Sequence, residues 1–360
     1  MNLSPESPSP AVSVILPVWN PGSGIERCIK SLRKQTLREI EMIFVDDRGS
    51  DGAMEKVNAA AAEDPRIRIL TNPHNLGPGP ARNAGMAAAR GEFVIFIDPD
   101  DYIDLDFLER LYEKTEAERL DIVKGCVKRE DSDGQNQRTT NTNNLIRQRL
   151  KSGLPLYLAL NAEHFSVLIR RQLLLTNRIR YGSYRISEDS YFLLCLGYFG
   201  GSFGICDSGS AYHYVRRPDS RMNQFTAESL FERLHTSDEM ADFLAQQSID
   251  EFALMFFCKR VRYLLSVQLL AAQKPETKNV SAEFLSRLRD QTKALPDADK
   301  MAQMDFVVYA LVRHEINLIK RPWNHFVSRR PDLAEICDYL RRWIIFLIRA
   351  CRSIPFWLNF

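Results

Sequence analysis

Asp98, Asp100 and Asp101 put three carboxylates within four positions, directly after the apolar, β-branched run Phe93-Val94-Ile95-Phe96-Ile97. Carboxylates this close repel one another unless a cation holds them. A hard divalent ion bound by few protein oxygens completes its shell with water and substrate phosphates. The chemistry such a cluster serves is therefore a metal-held diphosphate, although the same residues also suit a solvated turn in which Asp98 or Asp101 caps the next helix. Asp46-Asp47 closes a second apolar run, and Glu188-Asp189 opens an apolar helix that Ser187 could cap, with both acids favouring its dipole.

The elements that must position these groups are legible from periodicity. Apolar runs at 12–16, 42–45, 67–70 and 93–97 alternate with segments of helical spacing or composition, which predicts βαβ units, a parallel sheet and a doubly wound α/β architecture. Ligands of such sheets gather at the carboxyl ends of the strands, where the acids stand. Pro17-Val18-Trp19-Asn20-Pro21-Gly22 follows the first run and leads to a helix over 25–34. Asp46 to Gly52 follows the second, with Ser50 or Asp51 as the cap of a helix from Ala53. Acidic pairs at two strand ends, with an aromatic at a third, suggest a crevice for a ribose and a base. The glycines between Asn75 and Gly85 lack the spacing and the place of a dinucleotide fingerprint, so no nicotinamide site is expected. Arg82, near the start of that helix, could face a diphosphate or pair with the nearby acids.

With 360 residues, 45% hydrophobic and 26% charged, the chain can bury a large core and is long enough for two or three domains. The net charge of +2 says little by itself, and no nucleic-acid partner is expected. Seven scattered cysteines without a Cys-x-x-Cys pair fit reduced thiols in a cytosolic protein. Residues 1–11 read as a disordered tail without the apolar core of a signal peptide. The polar stretch 131–144 reads as a loop, and three- and four-residue apolar intervals predict a helical region over 221–340. In the basic amphipathic segment 341–360, Arg341, Arg342, Arg349 and Arg352 fall within an arc of about 100° on a helical wheel, beside the run from Trp343 to Ile348. That run is too short to span a bilayer, and the segment suits either an interfacial helix on anionic lipid or a basic helix packed against protein.

Taken together, residues 12–20, 44–51, 75–85 and 97–101 resemble, in order and spacing, the family-2 inverting glycosyltransferases of GT-A fold. The resemblance covers residues 12–127 and implies a mostly parallel α/β sheet over 12–220, split into a nucleotide-sugar half (12–127) and an acceptor and catalytic-base half (145–220). It implies Pro17, Trp19, Asp46 and Asp47 near base and ribose, Asp98 near the ribose or sugar, and Asp100 on a divalent metal, manganese or magnesium, with Asp98 as a further metal residue. The family more often has tyrosine at Trp19 and glycine at Arg48. By the same resemblance Asp189 is the general base, with Glu188 as the alternative. His213 completes the metal or phosphate site or else serves as a packing residue, and Arg216 meets the diphosphate.

The activity so implied is transfer of a sugar from a nucleotide diphosphate sugar, uridine-linked, to a glycan or lipid-linked acceptor in cell-surface polysaccharide or lipopolysaccharide assembly. It would take place in the cytoplasm, at or near the inner face of the membrane. The alternatives are a sugar nucleotidyltransferase, for which the loop after the first strand lacks Lys or Arg, and a non-catalytic membrane-associated binding protein.

Overall fold

The computed structural model describes residues 9–131, 138–139, 142–151, 156–160, 164–216 and 226–247, with 263–264, 283–284, 286–288 and 290. The chain divides into two compact units, Met1–Asn223 and Gln224–Phe360. The first unit begins β1 (Val12–Val18), α1 (Gly24–Arg33), β2 (Ile40–Asp46), α2 (Ala53–Glu63), β3 (Ile67–Thr71), α3 (Pro78–Ala88) and β4 (Phe93–Phe96). It continues β5 (Tyr102–Ile103), α4 (Phe107–Glu118), β6 (Ile122–Lys124), β7 (Cys126–Asp131), β8 (Arg138–Thr139), α5 (Thr142–Lys151) and α6 (Leu156–Ala159). It ends with β9 (Val167–Arg170), α7 (Arg171–Thr176), α8 (Glu188–Phe199), β10 (Phe203–Ile205) and β11 (Ala211–Arg216).

The main sheet has the order β10-β6-β9-β4-β1-β2-β3. All its pairs are parallel except those of β9, which runs antiparallel to both β4 and β6. The expected mostly parallel α/β sheet is thus the fold observed, and the four apolar runs are its strands β1 to β4. Strand order reverses between β1 and β4, the position at which open α/β sheets form a ligand crevice. Pro17 fits this point. Ile97 N donates to Ile15 O, and the two-residue repeat turns Pro17 to the same side, beyond the last β1–β4 pair at Ile15 and Phe96. Its missing N–H therefore costs the sheet no bond.

Helices cover both faces. Val12, Val14, Leu16 and Val18 share one core with Ile25, Cys28, Ile29 and Leu32 of α1 and Val57 of α2. On the opposite face α3 lies unusually close, because its contact residues are small: a Cβ on Gly85 would sit 2.4 Å from Ile15 Cγ2, and one on Gly79 2.3 Å from Gly182 O. The glycines of the 75–85 segment thus serve close packing, as the absence of a dinucleotide spacing allowed. A second sheet, β5-β11-β7-β8, flanks the first. Its strand β8 and the start of α5 occupy part of 131–144, which corrects the reading of that stretch as a loop.

Thr226 begins the second unit's α9 (Ala227–Ala245), with Thr226 Oγ1 accepting from Ser229 N at 3.1 Å and Ser229 Oγ accepting from Thr226 N at 3.0 Å. The rest of the helical region is described only at isolated residues, and all of 341–360, with its four arginines, lies outside the described residues. Among those described, no helix is long and apolar enough to cross a membrane.

The close approach at Gly85 gives the sign of one substitution. A Gly→Ala change inside an unobstructed helix gains about 1 kcal/mol, but at Gly85 the added methyl meets Ile15, and overpacking of a core costs ~1–3 kcal/mol. Gly85→Ala should lower stability in urea titration, and Ile15→Ala in the same chain should recover part of the loss. A stabilised Gly85→Ala protein would show that α3 does not sit this tightly on β1.

Candidate active site

Arg82, on the second turn of α3, is 4% exposed, and its guanidinium joins two distant acids. Nη2 donates to Asp98 Oδ1 at 2.7 Å and Nη1 to Glu188 Oε1 at 2.8 Å, while the group lies 5.1 Å from the centre of the Tyr181 ring. One side chain thereby ties the end of β4 to the start of α8. Burial alone would lower the Arg82 pKa, but the charges of Asp98 and Glu188 raise it above its ordinary value, so the group stays charged. Burial raises the Glu188 carboxyl above its ordinary range against the opposing Arg82, with Asp189 adding to the rise. Asn83 fastens the same junction. Its amide donates to Tyr181 O at 3.1 Å and its carbonyl accepts from Tyr181 N at 2.9 Å.

The Asp98–Asp101 loop is held from the other side by β11. Tyr212 OH donates to Asp101 Oδ2 at 2.6 Å and accepts from Asp98 N at 3.1 Å, and Val215 N donates to Asp101 Oδ1 at 2.8 Å. Burial, with the charges of Asp100 and Asp98 added, raises the Asp101 carboxyl well above the usual carboxylate range. Asp101 therefore serves the architecture of the loop and Asp98 is drawn to Arg82, leaving Asp100 half-buried between them. A Cβ on Gly24, the first residue of α1, would stand 2.8 Å from Asp100 Cα, so that helix also backs the loop.

His213 is not brought to these acids. Neighbouring residues of a strand face opposite ways, and with Tyr212 turned to the loop, His213 stacks on Tyr102 at 4.2 Å and its Nε2 lies 2.9 Å from Asp104 Oδ1. Glu130 Oε2 stands 3.7 Å from the other ring nitrogen. These contacts are those of the packing alternative. Arg216 ends β11, half-buried, one residue beyond the Val215–Asp101 bond.

The loops after β1 and β2 lock together. Asn20 Oδ1 accepts from Ser50 N at 2.7 Å, and Asp51 accepts from Gly22 N at 2.7 Å and from Ala53 N at 3.1 Å; the cap position of α2 is Gly52, with no side-chain cap bond, which corrects the capping expected of Ser50 or Asp51. Trp19 is left 39% exposed at the strand end, beside buried Pro17. Asp46 Oδ1 accepts from Arg48 N at 2.8 Å. Asp47 is 2% exposed and accepts from Asn72 Nδ2, Leu76 N and Gly77 N at 2.8, 2.9 and 2.9 Å, which pins the loop leading into α3.

At the start of α8, Ser187 occupies the cap position with φ of 64° and no side-chain cap bond, so the capping expected of it is not made. Glu188 is committed to Arg82, whereas the Asp189 side chain keeps 22% exposure and lies beside His164, Nδ1 to Oδ2 3.6 Å. The sequence reading did not single out Tyr212, Asn83 or His164 for these roles. Alternation along β11 separates Tyr212 from His213, but no local spacing links His164 to Asp189.

The groups that could hold a divalent ion at this loop are oxygens only. Arg82 offsets Asp98, and Asp101 is bonded by the neutral Tyr212 and Val215 groups. Among the described residues no three His, Cys, Asp or Glu side chains form a cage for a metal ion. The set accordingly fits a hard cation that takes one or two carboxylates and draws its other ligands from phosphate and water. Removing Arg82 should be costly, because two acids would then lose their counter-charge. Arg82→Met should lower stability by ~3–5 kcal/mol, the usual cost of breaking a buried pair from one side. Arg82→Lys should recover only part, since an ammonium lacks the two-pronged donor geometry. A loss near zero in equilibrium denaturation would remove Arg82 as the tie between β4 and α8.

Comparison with known proteins places this geometry. The profile described as Glycosyl transferase family 2 matches residues 13–176. The glycosyltransferase EpsJ of Bacillus subtilis is 44% identical over 117 residues, 32% of this chain and 33% of that protein. The succinoglycan biosynthesis protein ExoO of Rhizobium meliloti is 28% identical over 262 residues, 70% of this chain and 73% of its own. Over such relatives as EpsJ the chain spans about a third of their length. Residues 1–349 of TarS from S. aureus, solved with UDP-GlcNAc, share the fold with TM-score 0.61 and 19% identity, covering 83% of this chain and 86% of that 1–349 chain. The acids at the ends of β2 and β4 lie within residues 13–176, which match the glycosyl transferase family 2 profile, and the chain is similar to that family.

Proposed function

We propose that the chain is an inverting glycosyltransferase that moves a sugar from a nucleotide diphosphate sugar, a UDP-sugar, to a hydroxyl of a glycan or lipid-linked acceptor in cell-surface polysaccharide assembly. The observation that carries this reading is the Arg82 junction, which sets the Asp98–Asp101 loop and the Glu188-Asp189 helix start against each other beside the β1–β4 crevice. Support for the donor comes from the shared fold with TarS, which was solved with UDP-GlcNAc. Support for the pathway comes from ExoO, a succinoglycan biosynthesis protein.

In this reading Trp19 and Pro17 face the base, and the Asp46–Asp47 turn lies against base and ribose. Asp98, oriented by Arg82, contacts the ribose or the sugar. Asp100 holds a divalent cation, manganese or magnesium, which would neutralise charge on the diphosphate as it departs. Arg216 approaches the diphosphate from β11. Asp189 accepts the proton of the acceptor hydroxyl as its oxygen bonds to the anomeric carbon and the bond from that carbon to the diphosphate breaks. The single displacement inverts the anomeric centre. Asp189 is favoured over Glu188 because Glu188 is buried against Arg82.

A panel of nucleotide sugars with each metal tests donor and cation together. Asp100→Ala should abolish metal-dependent donor binding in calorimetry, and unchanged affinity with unchanged metal dependence would displace Asp100 from that role. Asp189→Asn should leave donor affinity nearly intact and cut turnover by ~10²-fold or more. Loss in Glu188→Gln with wild-type turnover in Asp189→Asn would transfer the base to Glu188.

The same reading sets residues 341–360 on anionic membrane at a lipid-linked acceptor, where juxtamembrane basic residues contribute about 1 kcal/mol each. The full chain should float with anionic liposomes at low salt and a truncation ending at Asp338 should not; equal partitioning of the two would place the segment against protein instead.

A further inference from the structure

His164 is 5% exposed, and neither ring nitrogen has a hydrogen-bond partner among the described residues. A buried polar group left unpaired is costly and calls for an explanation. The ring is not loosely held. It meets Phe165 and Tyr181 edge-on, each at 5.7 Å between centroids. The turn that follows it is fastened by Gly125 N donating to Ser166 O at 2.7 Å and by the bond from Lys124 Nζ to Ser166 Oγ, with Ser166 itself at a φ of 60°. Tyr181, on the far side of the ring, is stacked on Phe192 of α8 at 4.1 Å. The imidazole is thus fixed between the entry to β9 and the first turns of α8, with Nδ1 at 3.6 Å from Asp189 Oδ2.

That separation is beyond a hydrogen bond and short of anything that could fit between the two atoms. Hydrogen bonds of catalytic groups are often long without substrate and tighten in the reactive complex. We propose that His164 is a positioning residue for Asp189: its Nδ1–H donates to Asp189 Oδ2 and holds the carboxylate so that Oδ1 receives the proton of the acceptor hydroxyl. The inference rests on the reading of Asp189 as the base. His164 itself touches neither donor nor acceptor. A carboxylate with one oxygen tethered presents the other in a defined direction, and misplacement of a reacting group by about 1 Å costs on the order of 10²-fold in rate.

The test compares substitutions that keep or remove a donor at the Nδ1 position. The amide nitrogen of Asn can stand near Nδ1 and that of Gln near Nε2, so both variants keep a polar side chain in the same space. His164→Gln and His164→Phe should lower kcat by roughly tenfold with donor affinity unchanged in calorimetry, whereas His164→Asn should stay within about twofold of wild type. In an Asp189→Asn background His164→Phe should add no further loss, because the group it positions is gone. Equal turnover of the Asn and Gln variants, or a full additional loss in the Asp189→Asn background, would overturn the positioning role. With turnover already lost in Asp189→Asn, either result removes His164 alone; wild-type turnover in Asp189→Asn removes the base assignment and this inference with it.

Discussion

A guanidinium buried between two carboxylates is stable only if both acids stay within reach, because the charge has no water to turn to. Arg82 imposes that condition on three elements at once: α3, which carries it, the loop after β4, and the first turn of α8. The junction sets one cation against two acids, and Asp100, Asp101 and Asp189 stand next to it in sequence or space, with the Glu188 and Asp101 carboxyls raised above their ordinary range by burial. Acids gathered in this way suit a cation and, through it, an anionic substrate group.

The packing around Arg82 is arranged to bring it there. α3 offers Gly85 to the sheet and Gly79 to Gly182 and Glu188, rather than large apolar side chains, so it gains much from close approach. Its direction is set at its N-terminus by Asp47, which gathers Leu76 N and Gly77 N, with Gly77 at a φ of 93°. A side chain there would have to adopt a backbone conformation that only glycine enters readily. Asp47 is thus a fixed point between the β2 turn and α3, and its own N–H donates to Val18 O at 2.9 Å, which ties the ends of β1 and β2 together.

A buried acid near the start of β2, at the opposite end of the strand from Asp46, has a different outcome. Glu41 is 2% exposed, yet its Oε1 accepts from Ser13 Oγ at 2.7 Å and from Arg90 N at 2.6 Å, and its Oε2 accepts from Arg90 Nε at 3.2 Å and from Arg68 Nη1 at 2.5 Å. Its pKa is lowered: burial would raise it, but the bonds from Ser13, Arg90 and Arg68 outweigh that effect. In Asp101 the balance goes the other way: burial, with the charges of Asp100 and Asp98 added, outweighs the bonds from Tyr212 and Val215 and raises the carboxyl.

The sequence by itself determined the alternation of strands and helices, the parallel sense of the sheet and the resemblance to glycosyl transferase family 2, because apolar periodicity and short motifs such as Asp98-Pro99-Asp100-Asp101 are local properties of the chain. It also placed the acids at the strand ends, since each follows its apolar run directly. Only the tertiary structure decided which partners they take. Arg82 could have faced a diphosphate alone or paired with acids, and the choice of Asp98 and Glu188 depends on α8 crossing back over α3. Period-two alternation sets Tyr212 and His213 on opposite faces of β11, but which face meets the Asp98–Asp101 loop is settled by the pairing of β11 with β5 and β7. The antiparallel insertion of β9 between β4 and β6, which leads His164 to Asp189, has no local signature: an apolar run such as Val167-Leu168-Ile169 fits either direction, and its neighbours alone fix its sense.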